Sequence, residues 1–185
     1  MRILMVNASP KKNGATGQVL QWMKEALEER YETESICLGE RSIAFCRGCK
    51  QCYKTGRCVL PADGVEELLH RMERNDAILF AVPSYWGDVP AQFKTLIDSC
   101  TPYADTKPGH PRPAAGKRVF AAALRAGGRT GECEHLLQCV EHWSGHMGAE
   151  YDGGVMLTRV DGKEDLTLEQ EVSVKSAVNA WISKK

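Results

Sequence analysis

The feature that most constrains this chain is a regular alternation of short apolar runs with longer segments whose apolar residues recur at helical spacing. Residues 2–6, 77–82 and 119–124 are near-continuous apolar runs, the pattern of strands covered on both faces. Residues 35–38 and 155–157 are shorter candidates for strands. Between them, Val19, Leu20, Met23, Ala26 and Leu27 fall on one helical stripe within residues 16–30. Asp63 followed by Glu66 reads as an N-cap ahead of Val65, Leu68, Leu69 and Met72, and Pro90 opens a helix carrying Phe93, Leu96, Ile97 and Cys100. Residues 132–147 and 168–182 complete the helices. Strand and helix in regular succession imply an α/β fold, a doubly wound five-stranded parallel sheet with helices on both faces.

At 185 residues, with no repeat, low-complexity tract or linker, one domain spanning 1–185 is expected. The 24 basic residues balance 24 acidic ones, so the basic surplus of a nucleic-acid binder is missing. No apolar run approaches the ~20 residues of a membrane helix, and the stretch 3–6 is too short for a signal peptide. A soluble, cytoplasmic protein with neither nucleic acid nor membrane as partner is the expectation. In that compartment eight cysteines point to metal or redox chemistry before a disulfide framework.

In open α/β sheets ligands bind beyond the carboxyl ends of the strands. Ser9-Pro-Lys-Lys-Asn-Gly-Ala-Thr16 lies at such an end, between a buried strand and a helix N-terminus. The hydroxyls of Ser9 and Thr16, the charge of Lys11, Asn13 and the free amides of the helix could hold a phosphate. The competing reading is a plain turn with Asn13 or Thr16 as helix cap. Neither G-x-G-x-x-G nor G-K-[ST] is present, so dinucleotide and P-loop fingerprints are unsupported. Tyr85 and Trp86, on a turn after a buried strand, could wall a flat ring or simply pack, while Gly87, Gly127 and Gly128 allow close backbone approach.

These loops resemble those of the flavodoxin-like, NADPH-dependent FMN reductases. Ser9 to Thr16 is similar to the family's S-P-R-x-x-x-N-[ST] phosphate loop. Pro83-Ser-Tyr-Trp-Gly87 with Val89-Pro-Ala-Gln-Phe-Lys94 is similar to its P-x-Y-x-x-x-x-P-[AG]-x-[LF]-K stretch, and Gly127-Gly-Arg-Thr-Gly131 to the loop after its fourth strand. The resemblance runs from Met1 to about Met147. It implies strand order 2-1-3-4-5, and FMN held by Ser9, Lys11, Asn13, Thr16, Pro83, Ser84, Tyr85, Trp86, Gly87, Gly127 and Gly128. It also implies NAD(P)H as electron donor, with hydride transfer carried by the flavin and no catalytic side chain. Lys11 replaces the usual Arg and Ala15 a common Asn, so looser FMN binding is expected.

Cys46, Cys49, Cys52 and Cys58 lie in a stretch with no sustained period. Between positions 35 and 60, five basic residues (Arg41, Arg47, Lys50, Lys54 and Arg57) face one acid, Glu40. Positive charge nearby favours the thiolates that serve as ligands. A 4Fe–4S cluster, zinc, or thiols without a metal are the open readings. The spacing resembles the compact motif of the iron–sulfur flavoproteins, a branch of the same family, which implies 4Fe–4S close to FMN. Cys37, Cys100, Cys133 and Cys139 read as small buried hydrophobes. His135, Cys139, His142 and His146 share a helix stripe roughly 130° from the apolar face, without a carboxylate, and read as an ordinary polar face turned to solvent or a subunit partner. His70 and His110 stand alone.

No G-x-S-x-G or H-E-x-x-H motif occurs, which suits chemistry carried by a cofactor. The leading expectation is an FMN-dependent oxidoreductase drawing electrons from NAD(P)H or ferredoxin, an iron–sulfur flavoprotein forming a homodimer or homotetramer. The alternatives are a cluster-free NAD(P)H-dependent FMN or quinone reductase, a non-enzymatic flavodoxin-type carrier, and a zinc-stabilised FMN-binding module.

Overall fold

The computed structural model describes residues 1–27, 30–60, 64–104 and 109–184. Five strands form one parallel sheet in the order β2-β1-β3-β4-β5: β1 (Arg2–Asn7), β2 (Glu32–Cys37), β3 (Ala77–Pro83), β4 (Arg118–Leu124) and β5 (Glu150–Leu157). The helices are α1 (Ala15–Ala26), the single turn α2 (Cys52–Thr55), α3 (Gly64–Arg74), α4 (Ala91–Ser99), α5 (Gly131–Met147) and α6 (Leu168–Ser183).

The three central strands are buried along almost their whole length, hence their apolar runs. Alternate residues feed two cores. Leu4, Val6, Ile78, Phe80, Val119 and Ala121 pack against α3, α4 and α5, while Ile3, Met5, Leu79, Phe120 and Ala122 pack against α1 and α6. Phe80 anchors the first core, its ring 5.3 Å from Phe93 on α4 and 5.2 Å edge-on from Trp143 on α5. Trp181 of α6 anchors the second, against Phe120, with its indole N–H donating to Asp152 at 2.9 Å.

The edge strands differ from expectation. β2 and β5 begin three and five residues earlier than the apolar runs at 35–38 and 155–157 suggest. Both are half-exposed, so one-sided burial writes only a short apolar signature. The expected N-cap Asp63 lies outside the described residues. At α6, Thr167 and Gln170 form a reciprocal capping box. No helix among the described residues is long and apolar enough to cross a membrane.

Candidate functional site

The strand order reverses between β1 and β3, opening a crevice beyond their carboxyl ends. The loop after β1 is built around Asn7, 4% exposed, whose Oδ1 accepts from the Ser9 amide at 2.9 Å. Asn7 Nδ2 donates to the carbonyls of Lys11 and Lys12 at 3.3 and 3.2 Å. Ser9 Oγ accepts from the Lys11 amide at 3.1 Å. Gly17 completes the loop by close approach: a Cβ there would collide with the Lys12 carbonyl.

The competing reading, a helix cap at Asn13 or Thr16, is not realised: the cap residue is Gly14, with no side-chain cap bond and no acid in the first turn. The positive end of α1 therefore keeps its amides free of side-chain acceptors. Thr16 is buried beside them, and its hydroxyl makes no hydrogen bond among the described residues. Lys11 and Asn13 are exposed, and Lys12 is engaged by Glu40 at 2.9 Å. An uncapped helix start, with a hydroxyl and the Lys11 cation that have no partner among the described residues, fits a phosphate.

At the ends of β3 and β4, the Ser84 amide donates to the Leu124 carbonyl at 2.7 Å. Tyr85 and Asp88 exchange backbone hydrogen bonds of 2.9 and 3.1 Å across Trp86 and Gly87. Both central residues have positive φ, 54° and 79°, as a type I′ turn requires. Trp86 is fully exposed, and a non-glycine residue held there stores of order 1–3 kcal/mol of strain. Tyr85 is partly exposed. Sequence reasoning missed the polar strut beneath this turn. Ser84 Oγ donates to Glu132 at 2.7 Å, Glu132 pairs with Arg125 at 3.0 Å, and Arg125 reaches the Arg129 carbonyl across the Gly127–Gly128 loop. The loops at 9–16, 83–88 and 125–131 thus share one edge of the sheet.

All eight cysteines are free. Cys46, Cys49, Cys52 and Cys58, with Arg47 and Lys50, line one pocket of about 170 Å³ closed by Ser99 and Pro102. Left-handed backbone at Gly48, Lys50 and Gly56 turns the chain around it. The expected lowering of thiol pKa by local positive charge does not hold at Cys52, where partial burial and the sulfurs of Cys58 and Cys49 push it up. Cys37, Cys100 and Cys133 are buried, and burial raises Cys100 to about 12.

Cys139 departs from the buried expectation. It is half-buried and lines a groove of about 710 Å³ between α4 and α5, with Asp88, Tyr53, His135, His142 and His146. The histidine stripe thus faces a groove, and the loop after β3 brings Asp88 to it. Asp88 Oδ1 lies 3.2 Å from His135 Nε2, and Cys139 Sγ 3.6 Å from the same nitrogen. The Val89 amide, then His135, holds the Asp88 carboxyl below its ordinary range. Tyr53, Asp98 and Thr101 line both this groove and the cysteine pocket.

Residues 1–158 match the family described as NADPH-dependent FMN reductase. An iron-sulfur flavoprotein of Archaeoglobus fulgidus is 33% identical over 128 residues, covering 69% of this chain and 56% of that protein. The iron-sulfur flavoprotein of Methanosarcina thermophila is 30% identical over 145 residues, covering 77% and 72%. The chain spans about half the length of several of the curated relatives it matches. Among solved structures, the NAD(P)H:quinone oxidoreductase from Methanothermobacter marburgensis superposes with a TM-score of 0.75 at 18% identity, covering 100% of this chain and 98% of that one. That likeness is one of fold.

Proposed function

The chain belongs to the NADPH-dependent FMN reductase family, and from that premise we propose that it is an FMN-dependent oxidoreductase of the iron–sulfur flavoprotein type, fed by NAD(P)H or ferredoxin. The observation that carries the flavin assignment is the uncapped start of α1 at the switch point, with the Thr16 hydroxyl beside it unbonded among the described residues. Ser9, Lys11, Asn13, Thr16 and the first amides of α1 would hold the phosphate. Tyr85 and Trp86 on their strained turn, backed by Pro83, Ser84 and Gly87, would wall the ring, with Gly127 and Gly128 at its edge. Bound there, FMN supplies hydride acceptance from a nicotinamide and exchange of single electrons.

Cys46, Cys49, Cys52 and Cys58 would hold a 4Fe–4S cluster. Zinc suits this loop less well. A tetrahedral zinc thiolate site sets its sulfurs about 3.8 Å apart, yet among the described residues no three of these sulfurs converge within 4.8 Å. Thiols spread around one pocket, with Arg47 and Lys50 to offset their charge, support the larger group. The flavin and cysteine loops border the same groove, Asp88 following directly on the ring turn and Tyr53 sitting within the cysteine loop. We include in the proposal a homodimer or homotetramer whose neighbouring chain covers exposed Trp86 and Phe45.

The test is anaerobic purification followed by visible spectrum, iron assay and steady-state NAD(P)H oxidation. Bound flavin, about four irons per chain and turnover with a small-molecule acceptor are expected. Flavin without iron, resistant to reconstitution, removes the cluster and leaves a plain FMN reductase. Flavin without NAD(P)H turnover points to a carrier or to ferredoxin as donor.

A further inference from the structure

We infer that Asp88, His135 and Cys139 form a zinc-binding site, separate from both the phosphate loop and the cysteine-rich loop, with a fourth ligand position open to the groove. The three ligand atoms lie within 4.8 Å of one another, the one such triad of possible ligands among the described residues. Zinc bonds of about 2.0–2.3 Å in a tetrahedron place neighbouring ligand atoms roughly 3.3–3.8 Å apart. The observed separations of 3.2 and 3.6 Å from His135 Nε2 fall close to that spacing.

Two elements supply the set. His135 and Cys139 are four residues apart on α5, so one helical turn stacks them on the same face. Asp88 arrives from the turn after β3, fixed by its bond from the Val89 amide at 2.7 Å. The hydrogen-bonded reading accounts for Asp88 and His135 but gives Cys139 only a long sulfur contact of 3.6 Å to the same nitrogen. With Nε2 protonated, its N–H serves Asp88 and leaves the sulfur beside it without a bond of its own; with Nε2 unprotonated, its lone pair faces the carboxylate. A dication satisfies all three donors at once. An imidazole, a thiolate and a carboxylate form a mixed N, S, O set that suits borderline-soft zinc. Lys94, which lines the same groove, is paired with Asp98 at 2.6 Å. All three residues line the groove, where water or an oxygen of a bound molecule can take the remaining position. His142 and His146, 3.1 Å apart through their Nε2 atoms, lie further along α5 and are not in the set.

The experiment compares wild type, His135→Gln, Cys139→Ala and His142→Gln as anaerobically prepared holoproteins. Each is stripped with a chelator, dialysed against Zn2+ and analysed for zinc per chain; Co2+ spectra in the red, clear of flavin absorption, report tetrahedral ligation. Any metal on the cysteine-rich loop is common to all four, so differences isolate this site. Wild type and His142→Gln should each hold one zinc more than His135→Gln and Cys139→Ala. Loss of either ligand should weaken affinity beyond the roughly 10–100-fold that removal of an outer partner costs. The His135 side chain is about half exposed, so its variant keeps the test sound if Cys139→Ala folds poorly. Equal zinc in wild type, His135→Gln and Cys139→Ala overturns the site, as does loss on His142→Gln alone. Neither result bears on FMN binding, which is read from flavin content in the same samples.

Discussion

Thr16→Val is the sharpest test of the phosphate loop, because it deletes the hydroxyl while keeping a β-branched side chain of nearly the same volume. Thr16 is buried in the first turn of α1, yet its hydroxyl has no hydrogen bond among the described residues. The flavin-free protein therefore loses no internal bond, and its melting temperature should move little. With FMN bound, the hydroxyl would donate to a phosphate oxygen. A hydrogen bond to a charged group contributes about 1.5–3 kcal/mol, which corresponds to an FMN affinity roughly tenfold to hundredfold weaker. Ser9→Ala supplies the contrast. Ser9 Oγ already accepts from the Lys11 amide at 3.1 Å, so its removal loosens the loop itself. At about 1 kcal/mol, that loss should lower the melting temperature of the flavin-free protein by roughly 2–4 °C as well as weakening FMN. Fluorescence titration of FMN and thermal denaturation of both states separate the two effects. An unchanged FMN Kd in Thr16→Val would refute the placement of the phosphate at α1.

Three further outcomes are expected. Gly87→Val puts a β-branched residue at φ 79°, and should cut flavin occupancy while circular dichroism shows the sheet intact; full occupancy with normal reduction kinetics would place the ring elsewhere. Cys52→Ala should lower iron content and slow electron exit to one-electron acceptors while NAD(P)H still reduces the flavin, whereas Cys133→Ala, buried and not part of that pocket's lining, should leave iron unchanged. Phe80→Ala removes a ring packed against both Phe93 and Trp143, and should cost about 3–5 kcal/mol in denaturant unfolding; a loss below ~1 kcal/mol would mean that α4 and α5 collapse onto the gap.

What the sequence determined by itself follows from short-range physics. The central strands are buried on both faces, so 77–82 and 119–124 could hardly read otherwise, and their alternation with helices led to the five-stranded parallel sheet that is observed. The phosphate, ring and cysteine loops were legible because each packs its distinctive residues into a short contiguous stretch. The edge strands were only half legible, since exposure at 32–34 and 150–154 leaves no apolar run to read. At α1 the capping alternative failed: Asn13 and Thr16 are good capping residues, but Asn7, held from the strand, ties down the carbonyls of Lys11 and Lys12 and leaves Gly14 at the cap.

Only the tertiary structure could decide what is assembled from distant positions. Glu132 bridges Ser84 and Arg125 across 48 and 7 residues of sequence, and no local pattern encodes that strut. The histidine stripe of α5 lacked a carboxylate when read along the helix. Asp88 sits 47 residues before His135 and reaches it because β3 and β4 are neighbours in the sheet, which carries the turn after one alongside the helix after the other. Helical spacing can place His135 and Cys139 on one face; whether that face meets water, a subunit or a carboxylate depends on chain crossings that periodicity does not record.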